Sequence, residues 1–241
     1  MAIPVLNLIF VPQYFEYETI MGIISSSITR KVAMALSGLF LVFFLAQHFT
    51  INLTTVIAPD TFNSWSHFMG TNGLVQGLLQ PVLLFGVVFH FVMGFILEIK
   101  NRNARDIKYS SFKGGTNASW ASRNMLISGL VILAFLGLHF YDFWIPELIH
   151  KYIETHPEDP TRYYAETVRK FESPVRVGLY VFAFVLLAIH LWHGFASSFQ
   201  SVGLNNKYSK MLTVFSRIFA IVIPLGFIFI ALYLHLNQLP H

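Results

Sequence analysis

The 241-residue chain contains no cysteine and few charged residues. The absence of cysteine excludes disulfides, iron–sulfur clusters bound through thiolates, and a haem attached through a C-x-x-C-H motif. Only 12% of the residues are Asp, Glu, Lys or Arg, whereas soluble domains have roughly 25%. Because 55% of the residues are hydrophobic and the mean hydropathy is +0.59, the composition argues against a disordered chain or a soluble enzyme and indicates a membrane protein.

Five stretches are long and apolar enough to cross a membrane. They predict an all-α integral membrane protein that forms one domain over residues 1–241. Ser173-Pro174 is typical of a helix start, and Pro81 is expected in the first turn of the second span. The polar segment Thr155–Phe171 predicts a surface cap with a short helix. The predicted spans are Val32–Leu53, Leu78–Ile99, Asn124–Trp144, Val175–Ser198 and Val214–Leu236.

The basic residues are distributed unequally between the two sides of the membrane. Eleven of the sixteen Lys and Arg residues fall on the side of the N-terminus, and five fall on the other side. The segment from Asp142 to Glu172 adds seven acidic residues to that other side. The positive-inside rule therefore predicts a cytoplasmic N-terminus and a C-terminus outside. The net charge of +4 then reflects topology, and no nucleic-acid partner is expected.

Histidine is unusually frequent, with ten copies, and four spans carry one at bilayer depth. With a rise of 1.5 Å per residue, His48 and His139 lie about 24 to 25 Å from the inner ends of their helices. His90 and His190 lie about 15 Å from theirs. The four residues therefore form an outer layer and an inner layer, each with two histidines from different helices.

Glycines occur at matched positions around these histidines. A glycine precedes each outer histidine by ten residues, which places it at the level of the inner layer. Another glycine follows each inner histidine by four residues, on the same helix face. Lacking a side chain, these positions let a flat, bulky group approach the backbone. The four are Gly38 (in Ser37-Gly38-Leu39), Gly129 (in Ser128-Gly129-Leu130), Gly94 and Gly194.

This pattern suits two non-covalent haems b, each held by one imidazole on either side of the iron. The outer haem would lie between His48 and His139, and the inner haem between His90 and His190. With both axial positions filled, no position would remain for oxygen or substrate. The expected chemistry is therefore electron transfer.

Other interpretations remain open for single residues. His193 lies one turn from His190 and could replace it as a ligand. Because it does not share the glycine spacing, it is expected to contact the inner ligand or a haem propionate without binding the iron. A lone intramembrane histidine is often a packing residue. A haem-free transporter also uses such histidines, usually with a carboxylate at the same depth, and none occurs mid-span here. Solvated positions are expected for His67, His150, His156, His235 and His241, and membrane anchoring or contact with haem propionates for Arg30, Lys31 and Arg123.

The chain resembles the di-haem, five-helix cytochrome b membrane-anchor subunit of succinate:quinone oxidoreductases. The resemblance implies two haems b on the same four histidines, a quinone substrate that by analogy is menaquinone, and a bacterial cytoplasmic membrane. It also implies a flavoprotein subunit and an iron–sulfur subunit on the cytoplasmic face, with the flavin chemistry on the partner. The segments that carry it are Arg30-Lys31 to Gln47-His48, Phe62–Met69, the His90 helix, the Gly129–His139 helix and His190–Gln200.

The sequence supports candidate quinone residues less strongly than it supports the haem ligands. His67 in the outer first loop and Asp142, three residues after His139, could exchange protons with a quinone near the outer haem. Glu98 could serve an inner site. His67 and Asp142 could equally be solvated loop groups, and a carboxylate at a helix end, such as Glu98, is normally just exposed. A di-haem anchor of a hydrogenase or a formate dehydrogenase is the main alternative function, and its partner would be a metal-cofactor dehydrogenase.

Overall fold

The computed structural model describes residues 26–103, 125–204 and 206–238, and every regular element in these ranges is helical. Five of its helices are long and apolar enough to cross a membrane. The predicted all-α, five-span membrane architecture is therefore confirmed. The helices are α1 Ser27–Ile57, α2 Pro59–Thr71, α3 Gln80–Asn103, α4 Met125–His139, α5 Ile145–Leu148, α6 Arg162–Lys170, α7 Pro174–Ser201 and α8 Ser209–Leu236.

All five spans are longer than predicted, and wide π-helical turns lengthen the second and the third. The turn Val75–Leu79 leads directly into α3. The turns Phe140–Trp144 and Ile149–Ile153 flank α5, so the third span is helical from Met125 to Ile153. It continues well past the predicted end at Trp144, and its predicted first residue, Asn124, lies outside the described residues.

Proline explains where two of these turns occur. Pro81 and Pro146 each follow a π turn, with one residue between. A proline has no N–H to donate, and its ring crowds the carbonyl four residues earlier; the wider spacing of a π turn relieves that crowding. The expectation that Pro81 lies in the first turn of its span is wrong, because helical backbone precedes it. At Ser173 the predicted helix start is confirmed, since its hydroxyl accepts a hydrogen bond from the Arg176 N–H.

Four spans form a closed ring around a central space. Helix α1 packs against α3 and α7, and α4 packs against the same two helices from the opposite side. Helix α8 lies outside this ring, against α7 and α1. Consequently α1 faces α4 across one diagonal of the ring, and α3 faces α7 across the other. Each helix of the ring carries one of the four mid-span histidines.

A cap of ion pairs joins the end of the third span to α6. Glu147 receives Lys151 at 2.7 Å and also binds Arg162. Arg162 reaches Glu166 at 2.9 Å, and Lys151 donates to the carbonyl of Gly70 in α2. Burial lowers the pKa of the Arg162 guanidinium, but its hydrogen bonds to the two glutamates outweigh this effect and raise the pKa above its ordinary value. The guanidinium therefore stays charged, and α6 is the predicted short helix of the cap.

Helices α1 and α8 approach closely at a glycine. A Cβ atom added at Gly226 of α8 would lie 2.5 Å from Phe49 Cζ of α1. The Phe49 ring is itself held edge-on against Phe227, with 5.2 Å between ring centroids. Small residues allow this kind of close packing between membrane helices.

We expect Gly226→Ala to destabilise the bundle by about 1 to 3 kcal/mol, because the added methyl group would displace the Phe49 ring. Gly178→Ala in α7 is the matched control, since nothing lies within 4 Å of a Cβ at that glycine. Thermal unfolding of both variants in detergent measures the difference. Equal unfolding temperatures would show that the α1–α8 contact does not depend on this glycine.

Candidate functional site

The outer pair of histidines lies across one diagonal of the ring. His48 of α1 and His139 of α4 have ring centroids 5.7 Å apart, and the rings are nearly perpendicular at 86°. Phe44 stacks on His48 and Phe135 stacks on His139, in each case from four residues earlier on the same helix. This spacing places both side chains on one helix face. Each phenyl ring therefore restricts the orientation of its imidazole.

The inner pair lies across the other diagonal. His90 of α3 and His190 of α7 have ring centroids 6.4 Å apart, at an angle of 67°. Each partner in both pairs thus comes from the opposite helix of the ring. The structure brings the four histidines together in the two pairs that helical depth assigned. That they bind iron remains a prediction.

A serine hydroxyl lies within hydrogen-bond distance of His90. Ser37 Oγ lies 3.0 Å from His90 Nδ1 and donates its own hydrogen to the Met34 carbonyl, at 2.8 Å. When the hydroxyl hydrogen goes to Met34, the proton in the serine–histidine bond comes from Nδ1, because a hydroxyl has a single hydrogen to donate. In that tautomer Nε2 keeps the free lone pair that a metal ligand requires.

His190 is held in the same way. Ser128 Oγ lies 3.2 Å from His190 Nδ1 and donates to the Met125 carbonyl at 2.9 Å. The corresponding tautomer of His190 would likewise leave Nε2 unprotonated. The two inner histidines therefore make equivalent contacts, each with a serine hydroxyl on the neighbouring helix of the ring.

Two glycines lie beside the inner histidines. A Cβ atom at Gly38 would lie 3.3 Å from His90 Cε1, and one at Gly129 would lie 3.7 Å from His190 Cε1. The ten-residue spacing placed both glycines at this level, and the structure puts them there. A longer side chain at either position would fill the space beside the inner pair.

The other two glycines face methionines. A Cβ atom would lie 3.5 Å from the Met34 methyl group at Gly94, and 3.2 Å from the Met125 methyl group at Gly194. Both glycines therefore accommodate a flexible side chain at the inner end of the ring. They line the same central space as the histidines.

A cavity of about 870 Å³ runs along the centre of the ring. All four histidines and all four glycines line it. It extends from Lys31 and Glu98 at the inner end to Trp144 and Phe171 at the outer end, and most of its wall is apolar. Cavities of about 300 to 1,000 Å³ commonly hold organic ligands and cofactors.

The cavity fits a metal-centred, flat cofactor held by imidazoles. Metal–imidazole bonds of about 2 Å on both sides of an ion put the two ring centroids about 6 Å apart, close to both observed distances. Among the described residues, Nδ1 of His139 is buried without a hydrogen-bond partner. In the outer pair, Asn52 Nδ2 lies 3.4 Å from His48 Nε2 and donates to the His48 carbonyl.

Two of the four remaining predicted cofactor contacts line the cavity. Lys31 and His193 line the inner part of the cavity, where either can contact an acidic or aromatic group inside it. Arg30 is not part of the cavity wall. Arg123 lies outside the described residues.

Asp142 is buried inside the third span, so its interpretation as a solvated loop residue is wrong. Only 1% of it is exposed, because the π turn Phe140–Trp144 continues the helix through this position. Its Oδ2 lies 3.1 Å from Arg176 Nε and accepts a hydrogen bond of 2.9 Å from the Tyr180 hydroxyl. Tyr180, and not Asp142, reaches the cavity wall. A role for Asp142 at a quinone remains a prediction.

His67 lies on α2, away from both histidine pairs. Its Nε2 is 3.8 Å from Glu158 Oε2, and its ring meets Tyr163 edge-on at 6.2 Å. The structure does not bring His67 and Asp142 together. Near His67, an apolar pocket of about 450 Å³ lies between α1 and α2, lined by Gln47, Thr50, Ile51, Trp65, Phe68 and Met69.

Sequence reasoning missed the groups that orient the imidazoles. Ser37 and Ser128 belong to the repeated Ser-Gly-Leu tripeptide, of which only the glycine had been given a role. Phe44 and Phe135 stand four residues before the outer histidines. Both signals are internal repeats at fixed spacing from a histidine, and comparing the two halves of the chain would have found them.

No protein-family model matches this chain, and no curated protein or solved structure is significantly similar to it.

Replacing Asp142 with asparagine should lower the free energy of unfolding by about 1 to 3 kcal/mol, because it leaves Arg176 without its buried counter-charge. Glu166→Gln is the matched control. It also breaks an arginine–carboxylate pair, but its carboxylate is 46% exposed, so a loss below about 1 kcal/mol is expected. Thermal unfolding in detergent compares the two variants. The account of Asp142 would be refuted if its variant were as stable as Glu166→Gln.

Proposed function

We propose that this protein is a membrane cytochrome that holds two haems b and carries electrons between the two sides of the bilayer. One observation carries the proposal: four helices of a single ring present two facing histidine pairs, at two levels of one cavity. A histidine that serves only in helix packing would not need a second histidine opposite it. A proton-relay site would be expected to place carboxylates between the pairs, and none lines that part of the cavity wall among the described residues.

The histidines would supply both axial ligands of each iron. His48 and His139 would hold the outer group, and His90 and His190 the inner one. Haem b, when bound, supplies reversible one-electron transfer. Because two imidazoles face each other at each level, they would leave no coordination position for oxygen or substrate. Ser37 and Ser128 would keep the inner imidazoles in the tautomer that binds metal through Nε2.

The two levels are separated along the membrane normal. Gly38 lies beside His90, and His48 follows Gly38 by ten residues on the same helix. Ten residues of helix correspond to about 15 Å. Gly129 and His139 repeat this spacing on α4. Electrons passing between the levels would therefore cross part of the membrane potential, which is worth about 2.3 kcal/mol per charge for each 100 mV across the full bilayer.

We further propose that the chain is the anchor subunit of a bacterial succinate:quinone oxidoreductase in the cytoplasmic membrane. The resemblance of its histidine segments and the basic bias of one side support this assignment. The N-terminus would then be cytoplasmic and the C-terminus outside. A flavoprotein subunit and an iron–sulfur subunit would dock on the inner side, where Lys31 and Glu98 line the cavity end. The flavin chemistry would belong to the partner.

The quinone would bind near the outer end of the bundle. The pocket between α1 and α2 suits a hydrophobic ring, because its wall is almost entirely apolar. His67 lies on the same short helix that forms the pocket wall. Menaquinone is the expected species by analogy with the family that the chain resembles.

The assignment of ligands is tested by four single alanine variants. His48→Ala and His139→Ala should each remove the same haem, since they share one level. His90→Ala and His190→Ala should each remove the other haem. His193→Ala is the control on the same helix and should keep both. Redox-resolved absorbance spectra of the purified variants identify which haem is lost. If His193→Ala lost a haem and His190→Ala did not, the inner ligand would be His193.

Filling the space at the inner level should expel one haem without touching a ligand. Gly129→Leu would place a branched side chain beside His190, so we expect the inner haem to be lost or its occupancy to fall at least several-fold. Gly137→Leu on the same helix is the control, because nothing lies within 4 Å of a Cβ there; it should keep both haems. Haem content per chain, with circular dichroism as a check on folding, distinguishes the two. Full inner-haem occupancy in Gly129→Leu would show that the haem does not occupy this space.

A further inference from the structure

A second group of metal-ligating side chains lies outside the central cavity, at the outer end of the third span. Nitrogen atoms of His150 and His156 and a carboxylate oxygen of Glu154 all lie within 4.8 Å of one another. The two imidazole centroids are 5.0 Å apart, and His156 Nε2 is 3.1 Å from Glu154 Oε2. From the sequence, both histidines are expected to be solvated.

The backbone turns back sharply to bring these side chains together. After the π turn Ile149–Ile153, the His156 N–H bonds to the His150 carbonyl at 3.1 Å. Between them, Thr155 has a φ of +49°. A β-branched residue is a genuine outlier in this left-handed region, at a cost of order 1 to 3 kcal/mol. Strained residues of this kind are concentrated at functional sites and ligand clamps.

Asp159 lies near the cluster, together with Arg162, which is paired with Glu147 and Glu166. Hydrogen bonds from the Thr161 hydroxyl and N–H hold the pKa of the nearby Asp159 carboxyl below its ordinary value, so this carboxylate stays ionised. The adjacent ammonium of Lys151 is directed toward Glu147 and the Gly70 carbonyl. It is thus engaged on the side of the helix that faces α2.

We propose that His150, Glu154 and His156 form a binding site for one divalent transition-metal ion of the zinc class. Two imidazoles and one carboxylate are a ligand set that zinc uses in tetrahedral sites, with a fourth position left for water. Tetrahedral bonds of about 2.0 to 2.2 Å put ligand atoms about 3.3 to 3.6 Å apart. Ligand atoms that lie up to 4.8 Å apart must therefore approach one another by about 1.2 to 1.5 Å, which rotation of the exposed Glu154 and His156 side chains provides. The bound ion would fasten the returning chain to the end of the third span.

The site is tested on the full chain, purified without a polyhistidine tag and titrated with zinc chloride by calorimetry in detergent. The wild-type protein should bind a zinc ion that His150→Ala and His156→Ala each weaken by about 10-fold or more. Glu154→Gln should weaken it while keeping the shape of the side chain. Glu158→Gln is the control: it removes a neighbouring exposed carboxylate and should leave the affinity unchanged.

A second measurement guards against misfolded variants. Zinc should raise the unfolding temperature of the wild-type protein and of Glu158→Gln, but not that of the double variant His150→Ala/His156→Ala. The variants should have wild-type unfolding temperatures without zinc, within a few degrees. The proposal is overturned if the wild-type chain binds no zinc at micromolar concentration, or if the double variant binds it with the same stoichiometry and affinity. Neither result would bear on the haem proposal, since the central histidines are separate.

Discussion

The architecture depends on how imidazoles are satisfied inside a bilayer. A histidine in hydrocarbon has no water to pair with, and an unpartnered polar ring there is costly. In this bundle each of the four paired imidazoles faces another from the opposite helix. Each inner imidazole also has a serine of a neighbouring helix within hydrogen-bond distance, whereas Nδ1 of the outer His139 has no partner among the described residues. The central cavity runs past all four rings. The ring of helices, the glycines beside the inner pair and the proposed electron transfer all follow from this placement.

The bundle is built from two similar halves, and each half is incomplete without the other. The first half contributes His48 and His90, and the second contributes His139 and His190. Because facing histidines come from different halves, each proposed haem position needs both. Within a half, the serine and glycine of the first helix serve the histidine of the second: Ser37 serves His90, just as Ser128 serves His190 in the other half. The packing of neighbouring helices therefore also positions the serines that contact the inner histidines.

Hydropathy and helical rise were sufficient to predict the number of spans and the pairing of the four histidines, but not the ends of the spans. Both depend on quantities that hardly vary, namely the thickness of the bilayer and 1.5 Å per residue. The burial of Asp142 could not be predicted, because an acidic residue after an apolar run usually marks a loop. Here a π turn continues the helix, and Arg176 and Tyr180 from α7 satisfy the carboxylate. Pro81 was misplaced for a related reason, since a proline at the edge of an apolar run also suggests a helix start.

Contacts between distant segments were the other limit. Periodicity assigns a residue to a helix face and a level in the membrane, but not to a hydrogen-bond partner. The sequence therefore shows Ser37 as a neighbour of Gly38 and not as a partner of His90.

The proposal of two haems is most directly tested by the haem content of the purified full chain. The account predicts two haems b per chain, removable without breaking a covalent bond, with both irons bound by two imidazoles in the reduced and oxidised spectra. A folded preparation that is colourless, or that holds haem with an open coordination position, would contradict it.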